Sequence, residues 1–257
     1  MVVALEPWLE QVVIIGGWAH QLYRRHPSAQ ELDYPPLMTL DTDIAVPLKL
    51  PIREPDIRAR LLAHGFVEEF LGDDRPPTTH YHLGDEASGF YVEFLTPLIG
   101  GGYDRKRRRK ATAEVAGVAS QQLRHVELLL HHPWSIDFES REFAAMIQIA
   151  NPVSFVAQKV LIHDERERED RAKDILYMRD TLEVFGARLH ELRELWRLIV
   201  APQLHARNAR IVSKASEVLF GNLSDDIRRA AQISEQRGLS PEAIREACQY
   251  GFIQVFG

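Results

Sequence analysis

The chain has one cysteine, Cys248, among its 257 residues. A single thiol excludes an internal disulfide framework and a cysteine-rich zinc site, and it agrees with a reducing compartment. Long apolar runs are also missing. VVII at residues 12–15 is typical of those present, far below the roughly 20 residues that span a bilayer. No basic segment followed by an apolar one stands at the N-terminus. A cytoplasmic protein without a membrane partner is therefore expected. The chain also lacks a P-loop, a Rossmann glycine fingerprint and a nucleophile elbow around any serine, which removes the readings those motifs carry. There is no internal repeat.

What is present supports an ordinary buried core: 45% of residues are hydrophobic, in a chain long enough for one large domain or two modest ones. The net charge of -6 gives no general argument for a nucleic-acid partner, yet YDRKRRRK at 103–110 holds six consecutive basic residues, Arg105 to Lys110. That run reads equally as a solvated loop and as a local contact for a polyanion.

Hydrophobic periodicity places strands at Val12–Ile15, Asp43–Val46, Phe66–Leu71, Thr79–Leu83, Phe90–Leu95 and Met146–Ile149, with residues 111–138 as further strand material. Helices are expected at Trp18–Arg25 and Pro55–His64. From Asn151 the pattern turns helical. LEVFGARLHELRELWRLI sets Leu189, Leu192, Leu195, Trp196 and Ile199 on one stripe, and Ser240-Pro241 is a cap and first-turn pair for a last helix. The expected fold is α+β: a small mixed sheet with flanking helices over residues 1–150, then an all-α domain over 151–257.

Three features carry chemistry. IIGGWAHQLY at 14–23 runs from a strand through Gly16-Gly17 into a helix, a junction at which backbone amides can approach a phosphate, although a tight turn has the same signature. In LDTDIAV, Asp41 and Asp43 are one residue apart on a strand and so share a face. Two adjacent carboxylates repel unless both are solvated or a divalent cation lies between them. Glu93, in GFYVEFLTPL, sits inside an apolar strand with Tyr91 and Leu95 on its own face, and needs a partner there.

This order, a glycine pair, Asp-x-Asp and a third acid, resembles the nucleotidyltransferase superfamily. GGWA resembles the aminoglycoside and lincosamide nucleotidyltransferases. NPVSFVAQKVLIHDERERED and RAKDILYM, residues 151–178, resemble the AbiEii toxins of phage-defence and toxin–antitoxin systems, through Lys159, Arg166, Lys173 and Asp174. The resemblance implies an NTP substrate such as ATP, one or two Mg²⁺ ions held by Asp41, Asp43 and Glu93, and phosphates cradled by Gly16 and Gly17. It implies Lys159 on the triphosphate, with Asp174 orienting that cation or the nucleotide. It further implies an acceptor hydroxyl, either an RNA 3′ end met through Arg105 to Lys110 or a small aminoglycoside-like molecule, and an antitoxin protein as partner. A non-catalytic binding protein with the same fold is the remaining alternative.

His80 and His82 have the strand spacing to share a metal, but the sequence offers no evident third ligand. His131-His132 read as alternating faces of a strand.

Overall fold

The computed structural model describes residues 1–74, 76–84, 89–103, 110–140, 143–233 and 237–257. The chain forms two compact units, Met1–Ala19 with Met38–Asn151, and His20–Leu37 with Pro152–Gly257.

The first unit holds a nine-stranded mixed sheet. Its strands are β1 (Val13–Ile14), β2 (Asp41–Ala45), β3 (Val67–Leu71), β4 (Thr78–Leu83), β5 (Phe90–Pro97), β6 (Thr112–Val115), β7 (Val118–Leu123), β8 (Trp134–Glu139) and β9 (Ala144–Ile149). They are ordered β3-β4-β5-β2-β1-β9-β8, with the β6–β7 hairpin joined through β7 to β5. The central pair β2 and β5 is parallel, as is the β5–β7 pair, so β5 is flanked along most of its length. That explains its run of buried residues from Phe94 to Pro97.

Helix α1 (Gly16–Leu22) follows β1 and carries the chain from the first unit into the second. Helix α2 (Ile57–Ala63) starts where the Asp56 carboxylate accepts from Ala59 N at 2.8 Å, a side-chain cap. It buries Ile57 and Leu61 completely.

The segment HVELLL, expected as strand, instead forms a helical turn, α3 (Val126–Leu129). An apolar run this short fits either period, and here Val126, Leu128 and Leu129 are all buried. His131 and His132 accordingly lie in a bend and not on a strand. Their carbonyls both accept from Asn151 Nδ2, at 3.0 and 3.1 Å.

The second unit is helical: α4 (Pro152–Ile162), α5 (Arg168–Val184), α6 (Leu189–Leu195), α7 (Ala206–Ser213), α8 (Ala215–Val218), α9 (Asp225–Ile233) and α10 (Pro241–Phe256). The stripe expected at Leu189, Leu192, Leu195, Trp196 and Ile199 does not lie on one regular helix. Helix α5 ends at Val184, a 3₁₀ turn follows, and α6 passes into a π-helical turn at Trp196–Val200. Leu192 and Trp196 are buried, while Leu189, Leu195 and Ile199 are only half-buried. Ser240 caps α10 as its sequence implies, Oγ accepting from Ala243 N at 3.1 Å.

His20–Leu37 is tied into this unit through Tyr34, whose ring lies under the guanidinium groups of Arg24, Arg179 and Arg237, the last 4.3 Å from the centroid. Its hydroxyl donates to Glu183. The buried Asp180 accepts from Arg179 at 2.9 Å and from Arg237 at 2.6 Å, so its charge is fully compensated.

Candidate functional site

The parallel register of β2 and β5 gathers the acids. Asp41 lies opposite Tyr91 and Asp43 opposite Glu93. Strand alternation then sends all four side chains to one face, while Thr42 and Val92 between them are completely buried on the other. Asp41, Asp43 and Glu93 are each half-buried. Their combined negative field acts on Tyr91. Burial first, then Asp41, Glu93 and Asp43, push the Tyr91 phenol up to about 12.

Side chains from neighbouring strands and loops contact the carboxylates. Thr39 Oγ1 donates to Asp41. Gln121 Nε2, from β7, donates to Glu93 Oε2 at 2.7 Å, and His80 Nε2 lies 3.4 Å from the same oxygen. Thr39 is two residues from Asp41, a local neighbour that the Asp-x-Asp pattern alone did not single out. Gln121 and His80 reach Glu93 only through strand pairing, which leaves no local signal.

The glycine pair adjoins the acids. Strand β1 pairs antiparallel with β2, Ile14 opposite Ile44, and Ile15 N donates to Asp43 O at 2.9 Å. The next residue, Gly16, has φ of +60°, and a Cβ added there would overlap Asp43 Oδ2 and lie 3.0 Å from Asp43 Cγ. Gly16 is thus required twice, by backbone conformation and by the carboxylate beside it. Gly17, which follows it in α1, is buried. Trp18 then sets its ring edge-on to Phe90 at 6.0 Å, and its Nε1 is buried without a partner.

Lys159 and Asp174 belong to the second unit, where they face one another at 2.7 Å. Asp174 is 1% exposed and Lys159 8%. Arg166 Nε lies 3.5 Å from the second Asp174 oxygen. The Lys159 ammonium also sits 5.5 Å from the ring centres of Phe155 and Tyr177. Of the basic run, Arg105 to Arg109 lie outside the described residues; Lys110 Nζ donates to Ile99 O at 3.1 Å.

The third ligand absent from the sequence reading of His80 and His82 is supplied by β3. Among the described residues, Glu69, His80 and His82 form a group whose donor atoms all lie within 4.8 Å of one another. No helix among the described residues is long and apolar enough to cross a membrane.

Comparison with known proteins bears on this geometry. No curated protein matches the chain. Among solved structures, an antigenic nucleotidyltransferase-like protein from Paracoccidioides brasiliensis is similar at 14% identity, covering 70% of this chain and 72% of that one with a TM-score of 0.39. A family model described as nucleotidyltransferase matches residues 2–200, a span that contains the glycine pair, all three acids, Lys159 and Asp174. On that match the chain belongs to a nucleotidyltransferase family.

Proposed function

We propose that the protein transfers a nucleoside monophosphate from an NTP to an acceptor hydroxyl, forming the new bond at the α-phosphorus and releasing pyrophosphate, with Asp41, Asp43 and Glu93 as the metal-binding acids. The observation that supports this reading is the register of β2 on β5, which sets Asp43 against Glu93 and Asp41 against Tyr91 on one half-buried face. The donor set fits Mg²⁺: three half-buried carboxylates that offer hard oxygen ligands from one face of the sheet. When bound there, Mg²⁺ would neutralise phosphate charge and polarise the phosphorus under attack.

The remaining chemistry belongs to the chain. Gly16 and Gly17 are the residues whose backbone amides we assign to the triphosphate oxygens. Glu93, which accepts from Gln121 at 2.7 Å, is the group to which we assign the proton of the incoming hydroxyl. Lys159, fixed by Asp174 at 2.7 Å, is the cation we assign to the triphosphate, with Asp174 as its positioning residue.

The acceptor we infer is an RNA 3′ end, in the manner of the AbiEii-like enzymes, with an antitoxin as protein partner. Supporting this, the sequence puts six consecutive basic residues between β5, which bears Glu93, and β6. Such a run binds phosphate backbone without reading sequence.

The test is incubation of the full chain with each α-labelled NTP, Mg²⁺ and either total small RNA or a panel of aminoglycosides, beside an Asp41→Ala/Asp43→Ala variant. Label in RNA that requires the acids supports the whole reading. Label in aminoglycosides alone retains the transferase and overturns the RNA acceptor. Label in no acceptor overturns the transferase and leaves a binding protein.

A further inference from the structure

We propose that Glu69, His80 and His82 form a second metal site, one that takes a borderline divalent cation of the Zn²⁺ class and is chemically distinct from the acid face. Strands β3 and β4 form an antiparallel hairpin with Glu69 directly opposite His80 and Val67 opposite His82. Alternation along β4 turns both imidazoles to the face that also carries Glu69. Three donors thus converge from two adjacent strands, and their ligand atoms lie within 4.8 Å of one another. A zinc ion with bonds of about 2.0–2.2 Å to nitrogen and oxygen holds its ligands closer than that, so small side-chain rotations complete the site.

Two further observations favour a ligand over a plain ion pair. Without metal, His82 Nε2 contacts Glu69 Oε2 at 2.8 Å, but His82 Nδ1 is buried with no partner. The pair therefore leaves half of that ring's polar capacity unmet. The rings are also held in place. Tyr91 stacks on His80 with centroids 4.5 Å apart and planes at 17°, and lies 5.4 Å from His82. The Glu69 side chain is 47% exposed against 12% for His82, which leaves an open side for water as a fourth ligand.

Ligand chemistry separates this site from the acids. Two imidazoles and one carboxylate suit Zn²⁺, Ni²⁺ or Cu²⁺, whereas three carboxylates suit Mg²⁺. The two groups meet at His80, whose Nε2 is 3.4 Å from Glu93 Oε2. A metal on the hairpin would engage a ring that now adjoins the third acid, so its occupancy would be felt at Glu93.

The experiment is titration of the full-length chain with Co²⁺, followed by visible ligand-field absorption, with Zn²⁺ displacing the signal. It does not depend on transferase activity. One Co²⁺ per chain is expected, with Zn²⁺ competing and Mg²⁺ not. Glu69→Gln, at an exposed position with little bearing on folding, and His82→Ala should each weaken binding by more than the about 10–100-fold that loss of an outer partner causes. Asp41→Ala/Asp43→Ala should leave the spectrum intact. Binding that survives both hairpin substitutions, or that is lost with the aspartates, would overturn the proposal.

Discussion

Replacing Gly16 by alanine adds one methyl group where the backbone and a carboxylate both object. The backbone cost comes from φ of +60°, a left-handed conformation that charges a residue bearing a Cβ about 1–2 kcal/mol. The second cost is specific to this position, because the new carbon falls on Asp43 Oδ2 and 3.0 Å from Asp43 Cγ. Asp43 must rotate away, and the face it shares with Glu93 loses a member. A displacement of about 1 Å at a reacting centre costs on the order of 100-fold in rate.

Gly238 separates the two costs. Its φ is +61° and nothing lies within 4 Å of an added Cβ, so Gly238→Ala carries the strain without the collision. Gly238→Ala should lose about 1–2 kcal/mol, a fall in Tm of roughly 2–8 °C, and Gly16→Ala at least as much. Only Gly16→Ala should lose label transfer, by about 100-fold, together with Mn²⁺ affinity read by electron paramagnetic resonance. If Gly16→Ala kept Mn²⁺ affinity and transfer while losing the same stability as Gly238→Ala, Asp43 would not need its observed position and the assignment of the acid face would fail.

Three further outcomes are expected. His20 is wholly buried against Tyr177, with ring centres 4.9 Å apart, and both its ring nitrogens lack partners. Burial pulls its pKa down to about 4 from 6.5; Asp180 opposes the shift, while Arg24, Arg237 and Lys159 add to it. A lowered histidine keeps its stability contribution above pH 6.5 and loses it as pH falls, about 1.4 kcal/mol per unit and about 3 kcal/mol by pH 4. Urea midpoints measured from pH 7.5 to 5 should therefore drop, and less steeply in His20→Phe; equal slopes would refute this. Lys159→Met strands the buried Asp174, so calorimetry should show a loss of about 3–5 kcal/mol that Lys159→Met/Asp174→Leu largely restores. A loss below about 1 kcal/mol would mean that Arg166 suffices. Cys248 is completely buried, and burial pushes its thiol well up; a thiol reagent should find no reactive group in the folded chain and one in urea.

The parts of the site legible in the sequence are those fixed by local period. Asp41 and Asp43 had to share a face once β2 was a strand, and Glu93 had to leave the buried face of β5. What lay beyond reach was register. Nothing in the sequence says that Glu69 stands opposite His80, or that Gln121 reaches Glu93, because both depend on which strands pair and by how much they are offset. The same limit explains α3, where a four-residue segment with one acid among its apolar residues was decided by its surroundings. It also explains α5, where Asp174, Arg179 and Asp180 look like surface residues of a charged helix until distant cations and the Tyr34 ring are placed beside them.

The chain's route between its two units has a consequence for synthesis. His20–Leu37 leaves the ribosome early, yet the residues that enclose it all follow Asn151. Until α4 and α5 emerge, Tyr23 and His20 have no core to enter, and the Tyr34 ring lacks two of its three arginines. A nascent chain halted at Asn151 would carry this aromatic strip as an unfilled insertion, a ready target for a chaperone. Cleavage at that point would also yield two pieces of which the later one lacks its own first segment, so that piece should not regain its structure unless the earlier one is present.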